Sequence, residues 1–392
     1  MEIQPRNEKF FGRGNPALDF EVRRTIGSFI YDDRGKKFID FLGGAGVGNL
    51  GWEVQEIEQA LRKNARPTYV YPNFQYQRWK ELSLLLQRIT PDGLEVSYRT
   101  TGGSESVEAA LEMAMMVTGR KKMLSIEGSY HGNTLGALSV GKSSNQERFP
   151  NLLSGCEKIS PPLNEEKLQE VREILKTEQF AAVIMEPVII NLGVLIPEGK
   201  FMKGLDSLCR EYGTLLVMDE AITGFGRTGK MFASEHFEIK PDILCMAKAI
   251  TSGYAGMGAV ITTTEISQQI EGKIGLYSSY GWHPIAVDAA IASVNYLLKH
   301  HQELFDNIRN LSSFFSQELP KLQFRKSPEL RIMGLAIAVD VGDEQYASSI
   351  KEKALEEGLL MNTEGTSLLF LPNFHMDKAT VSEGLGILNK CL

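Results

Sequence analysis

Two short stretches of the sequence carry residue types that together could hold a charged aromatic cofactor. Residues 215–218 are apolar and run directly into Asp219, and a second apolar run, 243–247, delivers Lys248. Such runs predict buried parallel strands, whose carboxyl ends are where open α/β sheets bind ligands. A carboxylate and a lysine on neighbouring strand ends would suit a cofactor with a cationic nitrogen and an aldehyde, or they would form an ordinary salt bridge.

A third candidate feature is the glycine-rich start of an amphipathic helix at residues 100–110, where Ser104 follows Gly103. Free backbone amides, the helix dipole and the serine hydroxyl can together bind a phosphate. The alternative is a capping serine that binds nothing. Combined with Asp219 and Lys248, this segment supplies the third contact that a phosphorylated pyridine aldehyde requires.

The elements that must position these residues alternate between helix and strand from about residue 94 to residue 260. The predicted helices are 53–63, 77–89, 105–118, 168–176 and 201–212, and the predicted strands are 122–126, 181–186, 215–219 and 243–247. Alternation of this kind predicts a mainly parallel sheet with helices on both faces. Polar residues recur where these strands end, at 130–132, Glu186, Asp219 and Lys248, and this recurrence favours a catalytic site over an isolated salt bridge.

The two ends of the chain predict a second, smaller domain. Residues 24–31 and 37–41 predict a hairpin around the turn at 32–35. After a helix at 285–299, the C-terminal part alternates helices at 304–319, 345–358 and 377–390 with strands at 334–340 and 367–371. The chain therefore divides into residues 1–50 and 301–392, which form the small α+β domain, and residues 51–300, which form the large one.

Composition excludes several classes of protein. The chain has 392 residues, of which 43% are hydrophobic and 23% charged, with a formal net charge of -7. An acidic balance disfavours nucleic acid or an anionic membrane as the main partner. Four cysteines without CxxC pairs or clustered histidines indicate neither a metal site nor a disulfide framework. No apolar run is long enough for a membrane span, and residues 1–6 lack the core of a signal peptide, so we expect a cytoplasmic protein.

A series of motifs in a fixed order gives the chain a family resemblance over nearly its whole length. They are Asp33-Arg-Gly, Phe38-Ile-Asp-Phe-Leu-Gly-Gly, Gly103-Ser-Glu, Tyr130-His-Gly, Glu186-Pro-Val, Asp219-Glu-Ala, Thr223-Gly-Phe-Gly-Arg-Thr-Gly, Pro241-Asp-Ile with Lys248, and Tyr280-Gly-Trp-His-Pro. The chain resembles the class III aminotransferases. The resemblance implies a fold type I enzyme, with a mainly parallel seven-stranded sheet, that uses pyridoxal 5′-phosphate (PLP).

The resemblance also implies roles for individual residues. Lys248 would form the Schiff base with the cofactor and later move the substrate proton, and Asp219 would pair with the protonated pyridine nitrogen. The remaining cofactor contacts that it implies are Gly103 and Ser104 at the phosphate, Tyr130 and Ala221 on the two ring faces, Glu186 near the ring oxygen, and His131 and Ile222 beside the ring. Ser279 would reach the phosphate of a partner subunit, which implies a homodimer with shared active sites. His131 is interpreted as a positioning residue because Lys248 already supplies the base.

Several positions depart from the family pattern. Many members that use glutamate and 2-oxoglutarate carry arginines where this chain has Asn133 and Leu369, so a bidentate partner for a substrate carboxylate is missing at both positions. Ile222 replaces a common glutamine, and Trp282 replaces a glycine, which predicts a narrower entrance on the phosphate side. Arg331 is interpreted as structural.

The predicted function is amino-group transfer between an amine or amino acid donor and an oxo acid or aldehyde acceptor. The alternative is another reaction of the same cofactor-bound substrate, namely an aminomutase, epimerase, decarboxylase or carbon–carbon bond-forming reaction. A protein that binds the cofactor without turnover is disfavoured because both Lys248 and Asp219 are present.

Overall fold

The computed structural model describes residues 21–392, and within them the chain forms three β-sheets. The first twenty residues of the predicted 1–50 segment, including residues 1–6, lie outside the described residues. The strands are β1 (Val22–Ile26), β2 (Phe29–Asp32), β3 (Lys37–Asp40), β4 (Val96–Thr100), β5 (Lys122–Ile126), β6 (Cys156–Ile159), β7 (Phe180–Met185), β8 (Leu215–Asp219), β9 (Ile243–Met246), β10 (Gly258–Thr262), β11 (Glu329–Met333), β12 (Ala336–Asp340), β13 (Leu359–Leu360), β14 (Asn362–Glu364) and β15 (Ser367–Phe370).

Helices connect and cover these strands. The α-helices are α1 (Gly43–Gly46), α2 (Gln55–Lys63), α3 (Gln77–Ile89), α4 (Gly103–Thr118), α5 (Leu135–Ser139), α6 (Ser144–Arg148), α7 (Lys167–Leu175), α8 (Gly199–Glu211), α9 (Thr264–Ile270), α10 (Pro284–Lys299), α11 (His301–Glu318), α12 (Glu344–Glu357) and α13 (Lys378–Cys391). Short 3₁₀ turns occur at Ile190–Leu192, Ala233–His236, Lys248–Thr251 and Leu319–Lys321. None of the helices in the described part of the chain is long and apolar enough to cross a membrane.

The largest sheet has seven strands in the order β4-β10-β9-β8-β7-β5-β6. Strand β10 runs antiparallel to both of its neighbours, β4 and β9, whereas the successive pairs from β9 to β6 are parallel. The sequence prediction of a mainly parallel, seven-stranded α/β sheet is therefore confirmed. Six of the seven strands share one direction, so their carboxyl ends lie at the same edge.

Strand β7 shows why this sheet is buried on both faces. All six of its residues are buried, and successive side chains point to opposite sides, as β geometry dictates. Val183 and Met185 pack in the core that contains residues of α7 and α8, whereas Ala182 and Ile184 pack in the core that contains residues of α4. Helices on both faces thus fix the edge at which the strands end.

Two smaller four-stranded sheets contain segments from near the two ends of the described chain. One has the order β1-β2-β3-β13, in which the C-terminal strand β13 pairs in parallel with β3. The other, β11-β12-β15-β14, is antiparallel throughout. The pairing of β13 with β3 joins the N-terminal strands to the C-terminal segment, and the domain boundaries at residues 50 and 300 stay a prediction.

The structure corrects the single hairpin predicted for residues 24–41. The run 24–31 is not one strand, because the chain turns at Gly27, which has a φ of +55°, and divides the run into β1 and β2. Strand β2 then forms a second hairpin with β3. The β-forming residue types continue through the turn, so composition alone does not show the break.

Candidate active site

The register of the central strands brings three of the predicted site residues to neighbouring positions. Asp219 is opposite Cys245 of β9, and Met185 of β7 is opposite Met218 of β8. Glu186 therefore follows β7 at the level of Asp219, and Lys248 follows shortly after the end of β9. Tyr130 and His131 lie in the loop after β5, and α4, which begins at Gly103, follows β4 at the same edge.

Asp219 is buried and held by two hydrogen bonds. Its Oδ1 atom accepts from the backbone N–H of Ala221 at 3.1 Å, and its Oδ2 atom lies 2.8 Å from Nδ1 of His131. His131 is also buried, and its Nε2 atom has no hydrogen-bond partner among residues 21–392. A carboxylate fixed in this way is oriented before any ligand binds, which suits a partner for a ring nitrogen.

Glu186 and Lys248 have shifted proton affinities that follow from their burial. Burial, reinforced by the negative charge of Asp219, raises the pKa of Glu186 well above its usual range. Burial lowers the pKa of Lys248 below its ordinary value, although Glu186 and Asp219 act in the opposite direction. Lys248 also has a φ of +48°, a left-handed conformation that is strained for a non-glycine residue and is typical of functional sites.

The start of α4, with Gly103 and Ser104, lies where the sequence predicts a phosphate site, and these two residues with the adjacent Gly132 are here called the phosphate cup. The hydroxyl Oγ of Ser104 accepts a hydrogen bond from the backbone N–H of Asn133 at 3.2 Å. Gly132 has a φ of +129°, and a Cβ atom there would lie only 2.3 Å from Ser104 Oγ. A Cβ atom on Gly103 would contact the side chains of Ala221 and Ala247. Only glycine fits at position 132, because both the backbone conformation and the close approach exclude a side chain.

A cavity of about 140 Å³ unites these groups. Its lining contains all the predicted cofactor contacts except Ser279, that is Gly103, Ser104, Tyr130, His131, Glu186, Asp219, Ala221, Ile222 and Lys248. Within it, Glu186 Oε1 is buried and has no hydrogen-bond partner in the described part of the chain. Buried polar atoms normally have partners, so an orphaned carboxyl oxygen beside a phosphate cup and a lysine fits a cofactor with polar ring substituents.

A larger cavity of about 650 Å³ adjoins the first one. Both are lined by Tyr130, His131, Gly132, Ile222 and Lys248. Asn133 and Leu369 lie only on the wall of the larger cavity, so the two positions that lack the arginines of many relatives do face the space next to Lys248.

Several polar residues that line the larger cavity were not predicted from the sequence. Lys142, Asn145, Arg148, Asn191, Asn362 and Glu364 all line it. Most of them lie in loops and short helices that carry no sequence motif. In the sequence alone, a lysine or arginine in such a segment looks the same as an ordinary solvated charge. The sequence marked Gly132 only as part of the Tyr130-His-Gly motif. Its contact with Ser104 shows that this position must lack a Cβ atom.

Two other predicted residues lie elsewhere. Ser279 is exposed and does not line the cavity of its own chain. Trp282, predicted to narrow the phosphate-side entrance, is instead buried in the core, where its indole N–H donates to the carbonyl of Gly258 at 2.9 Å. Because Trp282 lines neither cavity, the prediction of a narrowed entrance is not supported.

Arg331 behaves as the sequence analysis interpreted it. Its guanidinium donates to Asp340 at 2.5 Å, to Glu329 at 2.9 Å and to the carbonyl of Gly193 at 2.7 Å. These bonds hold β11 against its surroundings. In residues 21–392, no group of three or more His, Cys, Asp or Glu side chains is placed to hold a metal ion.

Comparisons with known proteins agree with this geometry. A family model described as "Aminotransferase class-III" matches residues 10–392. An acetylornithine aminotransferase of Archaeoglobus fulgidus is 35% identical over 345 residues, which is 87% of each chain. An acetylornithine aminotransferase of Aquifex aeolicus is 30% identical and covers 96% of this chain and 97% of its own.

Solved structures give the same result for the fold. The taurine:2-oxoglutarate aminotransferase of Bifidobacterium kashiwanohense, solved with PLP and glutamate, has a TM-score of 0.88 at 27% identity and covers 98% of this chain and 94% of its own. An (S)-enantioselective omega-transaminase of Thermomicrobium roseum has a TM-score of 0.87 at 28% identity, with coverage of 95% and 93%. The chain is a fold type I, PLP-dependent transferase, and it belongs to the class III aminotransferase family.

Proposed function

We propose that Lys248 is the residue that holds the cofactor and moves the proton in amino-group transfer from an amine or amino acid to an oxo acid or aldehyde. The observation that carries the proposal is the strand register that gathers Glu186, Asp219 and Lys248 around one cavity. When bound, PLP supplies an electron sink for the bond that breaks at the amine-bearing carbon.

Lys248 suits both parts of this task. Because burial lowers its pKa, more of the amine is neutral at working pH than in a solvated lysine, and a neutral amine can bond to an aldehyde carbon or accept a proton. Its position on the wall of both cavities lets Nζ serve the cofactor in the smaller one and a substrate in the larger one.

The other site residues hold and polarise the ring. Asp219 would carry the negative charge that keeps the ring nitrogen protonated, and His131 would orient Asp219 rather than transfer protons. Burial and the charge of Asp219 raise the pKa of Glu186 and so favour its protonated form, which would donate a hydrogen bond to an oxygen on the ring. Ala221 and Tyr130 would contact the two faces of the ring.

The phosphate would bind at Gly103 and Ser104. The amide groups at the start of α4, a 16-residue helix, point their dipole at this position, and the Ser104 hydroxyl adds one donor. Ile222 lies where the two cavities meet and presents no polar group to the ring.

A homodimer with shared sites is part of the same proposal. Ser279 is exposed beside an aromatic surface, in which Tyr69 and Tyr280 lie 6.1 Å apart and Tyr71 and Phe74 lie 5.4 Å apart. Exposed aromatic clusters are typical of protein interfaces. Light scattering in solution tests this proposal, and a monomer with full activity would overturn it.

We also propose a cytoplasmic location. All four cysteines, Cys156, Cys209, Cys245 and Cys391, are free thiols, as is usual in a reducing compartment. Fractionation of the source cells tests this location.

The central experiment follows the absorbance of the bound cofactor. We expect the wild-type protein to show this absorbance, a suitable amine to remove it, and an oxo acid to restore it. Lys248→Ala should abolish the response, whereas Lys121→Ala, at an exposed position outside both cavities, should not. Acetylornithine and taurine are the first donors to test, because relatives and structural neighbours carry those names.

The other reactions of the cofactor-bound substrate give different results. Release of carbon dioxide, or exchange of the substrate proton with deuterium, without transfer of the amine to an oxo acid would favour an aminomutase, epimerase, decarboxylase or carbon–carbon bond-forming enzyme. Persistence of the cofactor absorbance in Lys248→Ala would refute the assignment of the lysine.

A further inference from the structure

Helix α5 receives the cap of its first turn from a neighbouring helix. Its own N-cap residue, Thr134, makes no side-chain capping hydrogen bond within residues 21–392. Glu108 of α4 replaces it, because its Oε1 atom accepts from the backbone N–H of Gly136 at 2.8 Å and from that of Ala137 at 3.4 Å. These are the second and third residues of α5, whose amides have no acceptor inside the helix. Both residues are buried, so their amides depend on this carboxylate.

Helix α4 also holds the backbone that leads into α5 at a second point. Ser104, one turn before Glu108, accepts from the backbone N–H of Asn133 at 3.2 Å through its Oγ atom. Residues four apart lie on the same face of an α-helix, so Ser104 and Glu108 form two acceptors for one stretch of backbone. Residues 133–137 are therefore fixed along one face of α4.

Two glycines allow this backbone to approach α4 so closely. A Cβ atom on Gly132 would overlap with Oγ of Ser104, and a Cβ atom on Gly136 would overlap with the carboxylate of Glu108. The three atoms nearest to that second Cβ position all belong to Glu108. The contact between Gly136 and Glu108 therefore repeats, four residues later, the contact that shapes the phosphate cup.

We propose that Glu108 is a positioning residue for the cofactor site, which keeps Tyr130 and His131 in place by fixing the backbone that follows them. Glu108 lines neither the smaller nor the larger cavity, so it acts through this backbone and not by contact with the cofactor. Tyr130 and His131 line both cavities, and Nδ1 of His131 lies 2.8 Å from Oδ2 of Asp219. The inference rests on the cofactor contacts proposed for these residues.

The short stretch of chain between His131 and α5 makes the coupling direct. A buried amide that loses its acceptor is costly, so the first turn of α5 would shift or unwind without the Glu108 carboxylate. Gly136 is only five residues after His131, and the backbone between them includes Asn133, which Ser104 holds. A shift there would loosen the contact between His131 and Asp219.

The test titrates the cofactor-free protein with PLP and follows the absorbance. Glu108→Ala should raise the dissociation constant of PLP by roughly tenfold, because it removes hydrogen bonds to a charged acceptor. Glu108→Gln keeps a side-chain oxygen at the same reach and should recover most of the affinity. Glu108→Asp keeps the charge but is one methylene shorter, so it should behave like Glu108→Ala. Glu112→Ala is the matched control, since Glu112 is exposed one turn further along α4 and lines neither cavity.

Gly136→Ala gives an independent test, because its Cβ atom would displace the Glu108 carboxylate without removing it. This variant also serves if Glu108→Ala does not fold. We expect Gly136→Ala to lower PLP affinity in the wild-type background and to have a much smaller effect in Glu108→Ala, since the two changes disrupt one contact. Hydrogen exchange of the cofactor-free protein should be faster over residues 134–139 in Glu108→Asp and in Gly136→Ala than in the wild type.

Three results would overturn the inference. They are wild-type PLP affinity in Glu108→Ala, even with a loss of thermal stability, equal losses in Glu108→Gln and Glu108→Ala, and additive effects of Gly136→Ala and Glu108→Ala. If an amine still removes the cofactor absorbance of the wild-type protein and an oxo acid restores it, the proposed amino-transfer function stands in each of these cases.

Discussion

Removal of the His131 ring tests whether the histidine orients Asp219 or transfers protons itself. In His131→Leu, Asp219 loses the 2.8 Å contact to Nδ1 and keeps only the 3.1 Å hydrogen bond from the backbone N–H of Ala221. Hydrogen bonds to charged groups contribute about 1.5–3 kcal/mol. Since about 1.4 kcal/mol corresponds to a tenfold change in affinity, the dissociation constant of PLP should rise roughly 10- to 150-fold.

His131→Asn is the matched control for this experiment. The asparagine amide nitrogen can take the place of Nδ1 and donate to Asp219. Because the asparagine side chain does not titrate, this variant cannot replace the histidine in proton transfer. We therefore expect this variant to recover most of the cofactor affinity. The assay is a titration of the cofactor-free protein with PLP, followed by absorbance, together with kcat at saturating cofactor.

The two roles predict opposite results. A positioning residue affects cofactor affinity, and His131→Asn restores it. If both variants bound PLP like the wild type but lost kcat to a similar extent at saturating cofactor, His131 would act in proton transfer and our reasoning would be refuted.

Two further substitutions test the cup and the buried carboxyl group. Gly132→Ala places a Cβ atom 2.3 Å from Ser104 Oγ, so PLP affinity should fall by roughly tenfold or more in the same titration. Gly199→Ala, where a Cβ atom meets nothing within 4 Å and which lines neither cavity, is its control. The pKa of Glu186 is raised from its ordinary 4.5, so the folded state keeps a proton that the unfolded chain releases. The contribution of this group to stability is therefore full below pH 4.5 and is lost as the pH rises. In Glu186→Gln, the stability of the cofactor-free protein should therefore fall less steeply between pH 4.5 and neutrality. Thermal unfolding at several pH values measures this fall, and a pH dependence equal to that of the wild type would contradict the raised pKa of Glu186.

Local patterns predicted the central sheet well, and all the cofactor contacts proposed from the sequence except Ser279 line one cavity. Helix α3 at Gln77–Ile89 and strand β8 at Leu215–Asp219 have the predicted bounds, because each combines a clear hydrophobic period with polar flanks. Strand β10 was not predicted, and its antiparallel direction has no local signal, because buried strands of either direction consist of the same apolar residue types.

The substrate side was much less predictable. Lys142 and Arg148 lie in a segment of ordinary polar residues, and only the tertiary arrangement brings that segment to the cavity of Lys248. Trp282 shows the converse error, since its departure from the family glycine suggested an entrance residue, whereas its indole is buried in the core. Motif spacing identifies groups that act on the shared cofactor, whereas groups that select a substrate depend on packing between distant segments.

The walls of the two cavities come from different parts of the chain. The smaller one is lined only by residues between Gly103 and Lys248, whereas the larger one also receives Leu42 and Ala45 from the N-terminal region and Asn362, Glu364, Leu369 and Leu371 from the C-terminal region. A substitution in those outer segments can change which donor is accepted without altering a contact to the cofactor. The residues that would select the donor can therefore be altered while those proposed to hold the cofactor at Lys248 stay unchanged.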